Sequence, residues 1–346
     1  MEIKKLLPEV KENVSLAKYT TFKIGGPARY FYLAKTKEEL IKGIGAALRC
    51  EPPFFILGGG SNILVADEGY KGIVIKFQNP NFKIQIKSKF QNPKIHVEAC
   101  VPLSLVVSEM TENNLSGLEW AAGIPGTVGG AIYGNAGSFG GSMSDVVKNV
   151  EVLEIQVLKN QKLKIKNKKQ ILNVKKLKNK KCGFGYRDSI FKKNKNLIIL
   201  SAILQLEKGN RKEIKNKIRE NLRKRNKAQP LNFLSAGSIF KNFIPYRPAN
   251  GGTGPGTKLS KELKEFKKTG IIPAAWLIEK CGLKGKKIGK AQVSKKHSNF
   301  IVNLGGAKAG DVKKLIDFIK KKVKNKFRTT LKEEICFLGF YGTRTK

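Results

Sequence analysis

The stretch Gly117–Gly141, GLEWAAGIPGTVGGAIYGNAGSFGG, limits the fold more than any other part of the chain. It holds nine glycines and one charged residue in 25 positions. So few side chains build little core. The value of such a segment lies in its backbone: left-handed turns, close approach, and N–H groups open to an anion. Gly129-Gly130 and Gly140-Gly141 suggest two sharp turns, with Ala121, Ala122, Ala131 and Ala136 keeping the wall between them low. A ligand carrying a diphosphate suits that surface. The plainer alternative is a glycine-rich loop without a ligand. A second such loop upstream, Leu57–Leu64 (LGGGSNIL), favours the ligand.

A chain of 346 residues has room for two or three domains and a sizeable core. Its five cysteines are scattered without a C-x-x-C pair, and only two histidines are present, which argues against a zinc site or disulfide framework and for a reducing cytoplasm. No signal peptide and no apolar run of membrane-spanning length is evident. The net charge of +42 raises the question of a nucleic-acid partner. Lysine, however, is spread along the whole chain and interleaved with asparagine, as in KNKKQ and KKNKN. That pattern reads as surface drift, so no nucleic-acid partner is expected, although the positive field would steer an anionic nucleotide.

Taken in order, strands are expected at Ala28–Leu33, Phe54–Leu57 and Gly72–Phe77, with a Thr36-capped helix between the first two. The first glycine loop then follows the carboxyl end of a strand, where open α/β folds place ligands. Ile84–Lys87 and Ile95–Ala99 read as paired strands, and Pro102 opens a helix through Met110. Val150–Leu158 and Lys162–Lys166 read as a hairpin. Ile171, Val174 and Leu177 suggest a short helix within 167–181, and Leu197–Glu207 a strand. Arg211–Lys227 is a basic amphipathic helix with Ile214, Ile218 and Leu222 on one side. Further on come a Pro- and Gly-rich insertion at 244–260, helices at Ala274–Cys281 and after an Asp311 cap, a loop and strand over Val293–Asn303, and a last strand Glu334–Gly339.

Eight motifs now stand in a fixed order: TTFKIGGPA (20–28), GGGSNIL (58–64), GLEWAAGIPGTVGGAIYGNAG (117–137), GFGYRDSIFK (183–192), AGSIFKN (236–242), AAWLIEKCGLKG (274–285), KHSNFIVN (296–303) and LKEEICFLG (331–339). Together they closely resemble the UDP-N-acetylenolpyruvoylglucosamine reductase family, over nearly the whole chain. One glycine loop alone is a weak signal; eight ordered motifs are a specific one. The resemblance implies an α+β fold with two FAD-binding subdomains of the vanillyl-alcohol-oxidase type, 1–80 and 81–222, and a C-terminal α+β substrate-binding domain, 223–346. It implies non-covalent FAD, NADPH as hydride donor, a small sugar-nucleotide substrate and a cytoplasmic enzyme of peptidoglycan synthesis, expected as a monomer. The uninterrupted GFGYRDS segment looks like the family type that lacks an extra tyrosine-bearing loop over the substrate.

The chemistry sets matching demands. Reducing an enol ether conjugated to a carboxylate requires a hydride at the terminal carbon, a proton at its neighbour, and support for the enolate charge between the two steps. No side chain carries a hydride, so a cofactor must. By motif position, Ser238 matches the family's proton donor, Arg187 its enolate-stabilising arginine and Glu334 its C-terminal glutamate, with Glu333 one position away. On residue type alone each has a plainer role: a turn hydroxyl, a surface arginine, a solvated carboxylate. Tyr186, Lys227, Asn242 and His297 are expected at the substrate, His297 more as a support of the loop than as a proton carrier. For the cofactor the expected residues are Gly25, Gly58, Gly59, Gly60, Ser61 and Asn62, with Gly123, Ile124, Pro125, Gly126, Thr127, Gly129, Gly130, Asn135, Ala136 and Gly137. The chain departs from the family with FKNF (Phe243) in place of FKNP, a longer insertion at 244–272, and Trp276 before the LIE segment. Two competing readings remain. Another FAD-dependent oxidase or dehydrogenase would share the loops without requiring Ser238, Arg187 and Glu334 together. A basic nucleic-acid-binding protein would require neither loop.

Overall fold

A computed structural model describes residues 2–82, 84–87, 92–157, 170–244, 266 and 270–341. Its contacts divide the chain into two compact units that interleave in sequence. The first takes residues 1–14, 28–59 and 71–225; the second takes 15–27, 60–70 and 226–346.

In the first unit, the strands Lys11–Ser15, Pro27–Ala34, Tyr70–Phe77 and Phe54–Leu57 lie side by side in that order. The last two are parallel, as the apolar Phe54-Phe55-Ile56-Leu57 run and the intervening crossover require. The helix Lys37–Cys50 begins where Thr36 accepts the Glu39 N–H, with Glu38 and Glu39 at its positive end. It buries Leu40, Ile44 and Ala47. A second, five-stranded sheet orders Gln170–Lys178, Val147–Val157, Leu197–Gln205, Lys94–Glu98 and Gln85–Lys87, antiparallel throughout. The helix Leu103–Glu112 starts after Pro102 and buries Leu103, Val106, Val107 and Met110. One continuous apolar core runs from Ile3 to Leu206.

Two local expectations are corrected in this unit. The helix expected around Ile171, Val174 and Leu177 is the edge strand Gln170–Lys178, paired from Val157↔Gln170 to Asn149↔Lys178. Three apolar residues at spacing three do not fix a period, and here Leu177 is buried while Ile171 and Val174 are exposed. The partner strand expected at Lys162–Lys166 lies outside the described residues. Gly129-Gly130 is not a turn but the start of the helix Val128–Gly134, where the Thr127 hydroxyl accepts the Gly130 N–H. Gly140, at φ +86°, does make the turn expected of it.

In the second unit, the strands Leu234–Ser238, Phe300–Asn303, Ala291–Val293 and Lys287–Ile288 form an antiparallel sheet. The helix Ala309–Phe327 packs its Val312, Leu315, Ile316, Ile319 and Val323 face into that unit's core. Asp311 sits inside its first turn rather than before it. The N–H groups of Ala309 and Gly310 are taken by the two carboxylate oxygens of Asp67, at 2.8 and 2.9 Å. The strand Cys336–Leu338 pairs in parallel with Ile63–Val65, so Glu334 precedes the last strand instead of opening it. The insertion begins and ends on one contact: Phe243 and Ile272 exchange both backbone hydrogen bonds, at 2.9 and 2.8 Å. A proline at 243 has no N–H to give there, which accounts physically for Phe243 in this chain. The rest of that insertion, apart from Ile244, Phe266 and 270–271, lies outside the described residues.

Candidate active site

The residues that carry the expected chemistry fall into two clusters, one in each unit. In the second unit the edge strand Leu234–Ser238 is bulged between Ser235 and Ser238. Gly237 stands at φ +75° inside the bulge, a conformation that glycine enters without strain. The bulge re-aims Ser238, which is half-buried and opposite Phe300. Its hydroxyl has no hydrogen-bond partner among the described residues. The chain is held rigid immediately beyond it: the Ile239 N–H donates to the Asn299 carbonyl at 2.8 Å, and Asn299 brackets Phe240 with bonds of 3.0 and 2.8 Å.

That frame brings the serine strand to the C-terminal glutamate. The Glu334 N–H donates to the Ile239 carbonyl at 2.8 Å, and the Lys241 N–H to the Lys332 carbonyl at 2.9 Å. Glu333, the neighbouring alternative, is engaged in an ion pair with Lys320 at 2.7 Å. Asn62, from the end of the first glycine loop, donates its side-chain N–H to the Glu334 carbonyl at 3.2 Å, and its own carbonyl accepts the Cys336 N–H at 2.9 Å. The structure therefore ties Asn62, Ser238 and Glu334 into one hydrogen-bonded region. Asn242 accepts the Ala274 N–H at 3.1 Å and so holds the start of the helix Ala274–Lys280. Lys227 is exposed near the end of the helix Arg211–Ala228. Gly25, at φ +145°, has its backbone against Val65, where an added Cβ would lie 2.8 Å from that residue's own. Gly60, at φ +65°, lies against the Tyr19 carbonyl.

His297 accepts the Asn299 N–H on Nδ1 at 3.3 Å and stands edge-on to Phe300, with centroids 4.9 Å apart. Burial, and after it the nearby Lys284 charge, hold the imidazole below its usual pKa. The unfolded chain therefore takes up this proton more readily than the folded one. The stability His297 contributes is complete above about pH 6.5 and declines as pH falls through that value toward the lower folded pKa. His297→Gln is expected to flatten that part of the pH dependence. Thermal midpoints of both proteins between pH 8 and pH 5 check it: parallel curves would mean that His297 does not titrate in this window.

In the first unit the two glycine loops meet backbone to backbone. A Cβ built on Gly59 would lie 2.5 Å from the Gly126 Cα, and one on Gly58 would lie 2.9 Å from the Thr127 hydroxyl. Gly129 is packed as closely, its N–H donating to the Ala99 carbonyl at 2.8 Å. Gly123 and Gly126 have φ of +75° and +118°. Behind the first loop, Lys76 donates Nζ to the Gly58 carbonyl, and burial lowers its pKa. Ile124 closes a turn onto the Ala121 carbonyl, and Pro125 follows it in the same loop. Ala136 accepts the Met143 N–H, and Gly137 leaves room for the Gly141 carbonyl. Walls made of backbone with the half-buried Lys76 behind one of them fit the diphosphate of a dinucleotide such as FAD.

The Arg187 loop is fastened to this region. Asn135 donates its amide to the Gly185 carbonyl at 2.9 Å and accepts the Ser144 N–H at 2.9 Å, so its side chain is engaged within the protein. Ser189 donates to the Tyr133 carbonyl at 2.7 Å. Gly185 and Asp188 close a tight turn that places Arg187 at φ +52°, a strained value for a residue with a Cβ. Its guanidinium lies 5.6 Å from the Tyr186 ring centroid.

Sequence reasoning missed one functional candidate. The helix Arg211–Ala228 turns Ile214, Asn221 and Arg225 inward and leaves Leu222 exposed. In so basic a helix nothing distinguishes Arg225 from its neighbours, and the expected apolar stripe pointed to Leu222.

The chain is similar to known proteins along nearly its whole length. Residues 28–156 match the family model described as an FAD binding domain, and residues 229–338 match UDP-N-acetylenolpyruvoylglucosamine reductase, C-terminal domain. The chain is 39% identical over 344 residues to the UDP-N-acetylenolpyruvoylglucosamine reductase of Caldanaerobacter subterraneus subsp. tengcongensis, covering 98% of this chain and 97% of that one. It is 36% identical over 331 residues to the protein of that name from Clostridium novyi, covering 96% and 92%. The crystal structure of the reductase from Thermus caldophilus superposes with a TM-score of 0.69 at 32% identity, over 94% of this chain and 98% of that one. The fold is therefore an FAD-binding region followed by the reductase C-terminal domain. Among the described residues no helix is long and apolar enough to cross a membrane. With this similarity along nearly its whole length, the chain belongs to the UDP-N-acetylenolpyruvoylglucosamine reductase family.

Proposed function

We propose that this protein is an FAD-dependent, NADPH-consuming reductase that converts the enolpyruvyl ether of a UDP-N-acetylglucosamine to the lactyl ether, a cytoplasmic step toward peptidoglycan. The observation that carries the reading is the bulge that presents Ser238, held by the Ile239–Glu334 hydrogen bond and joined through Asn62 to the first glycine loop. Residues 1–80 and 81–222 serve the cofactor and 223–346 the substrate.

The backbone of Gly58–Asn62 and of Gly123–Gly130 would hold the diphosphate, with Lys76 behind the first loop. The attachment is non-covalent: neither His96, which pairs with Ser201 at 3.1 Å on a sheet strand, nor His297 lies in either glycine loop. FAD held there would supply the hydride chemistry, with NADPH as the source of the hydride. The protein's own groups do the rest. Arg187 binds the substrate carboxylate and spreads the enolate charge onto it. Ser238 gives its hydroxyl proton to the carbon bearing the ether oxygen and recovers one from solvent. Glu334 sets the serine and the carboxylate relative to each other, a role its neighbour Glu333 is not placed to share while paired to Lys320. Tyr186, Lys227, Asn242 and His297 line the route of the sugar nucleotide.

An anaerobic absorbance spectrum tests the reading. The purified protein should show a flavin band that NADPH bleaches and the enolpyruvyl sugar nucleotide restores. A band that substrate does not restore would assign the chain to other chemistry on the same cofactor loops. A protein that binds no FAD would overturn the proposal.

A further inference from the structure

The helix Arg211–Ala228 points its charges outward at nearly every position, but Arg225 is 6% exposed. Its Nε donates to the Ala122 carbonyl at 3.1 Å and its Nη2 to the Ser138 hydroxyl at 3.2 Å. The guanidinium lies 5.3 Å from the Phe139 ring centroid. Its stem fills the space a side chain at Gly123 would need, where an added Cβ would lie 3.0 Å from Arg225 Cδ. One turn earlier on the same helix, Asn221 donates to the Glu119 carbonyl at 2.9 Å. Ala122 and Ser138 stand on either side of the helix Val128–Gly134, so a single side chain grips both ends of the second glycine loop.

The choice of a polar grip follows from what the loop offers. A stretch this poor in side chains gives a packing helix little apolar surface, and its carbonyls are the handles available. Among the described residues Arg225 uses neutral acceptors only, and the nearby charge is another cation, Arg187. Burial first, and Arg187 second, hold the Arg225 pKa below its usual value. A guanidinium buried without a carboxylate is costly, and a residue serving only to fasten the loop would do so more cheaply if neutral.

We propose that Arg225 is a positioning residue for the cofactor: it pins both ends of the Gly123–Gly137 loop in the shape that accepts FAD. The proposal rests on the reading that this loop holds FAD. Two bonds from a charged donor are at stake, so Arg225→Met should weaken FAD binding by roughly tenfold or more. Arg225→Lys keeps the charge without the fork and should fall between wild type and Arg225→Met. Ser138→Ala should weaken binding by a few fold, and by nothing further in the Arg225→Met background.

The experiment is FAD titration of the apoprotein by flavin fluorescence, with thermal midpoints of apoprotein and FAD-saturated protein. The expected result is a weakened dissociation constant together with a smaller gap between the two midpoints. FAD bound as tightly by the variants as by wild type, or a lower apoprotein midpoint with the dissociation constant unchanged, would overturn the proposal. If Arg225→Met does not fold, Arg225→Lys and Ser138→Ala decide on the same criteria. A wild-type protein that binds no FAD would instead overturn the proposed function.

Discussion

Ser238→Ala is expected to leave reduction of the bound flavin by NADPH at the wild-type rate and to slow its reoxidation by the enolpyruvyl sugar nucleotide by a factor on the order of 10² or more. The first half-reaction asks nothing of a proton donor at substrate carbon, whereas the second ends on one. The geometry makes the substitution clean. The serine oxygen has no partner among the described residues. The bonds that shape the bulge run through backbone: Ile239 to Asn299, and Glu334 to Ile239. Removing one oxygen should therefore leave the thermal midpoint close to that of wild type. Stopped-flow absorbance, following each half-reaction separately, checks the split. If reoxidation stays fast, another group supplies the proton; if both halves slow, the serine serves flavin binding or the fold instead.

How much of this was legible in the sequence depended on whether a residue's duty is local. The Thr36 cap, the Phe54–Leu57 strand and the Pro102 helix start are set by neighbours within a few positions, and all three appear as expected. Gly237 and Ser238 were visible as a motif, but the bulge that explains the glycine depends on pairing with Phe300, far along the chain. The same limit hid the part Asn62 plays, since its amide reaches Glu334 across most of the sequence. The segment 170–178 was misread because an edge strand of a sheet exposes residues on both faces, so its alternation fades into apparent helical spacing. Arg225 was hidden for a different reason. Burial of a single arginine is decided by what lies across from the helix, and among so many basic residues composition carries no signal.

Gly59→Ala should weaken FAD binding by a factor on the order of 10², because it drives the two glycine loops apart where they meet backbone to backbone. The added Cβ would lie 2.5 Å from the Gly126 Cα, 3.2 Å from its carbonyl carbon and 3.4 Å from its nitrogen. None of these atoms belongs to a flexible side chain, so relief requires one loop to move. Backbone conformation is not the obstacle here, since Gly59 is absent from the positive-φ residues. Relief by loop movement costs about 1–3 kcal/mol, as overpacking does elsewhere, and it displaces the surface proposed to face the diphosphate. Gly45→Ala gives the contrast. It lies inside the helix Lys37–Cys50, and its Cβ would make an ordinary contact of 3.7 Å with Leu172. That change should stabilise the protein by roughly 0.5–1 kcal/mol and leave FAD affinity as it is. FAD titration and thermal midpoints of both variants separate the two cases. A Gly59→Ala protein that binds FAD within a few fold of wild type would mean that the cofactor does not rest on the junction of the loops, and the cradle would have to be sought on other residues.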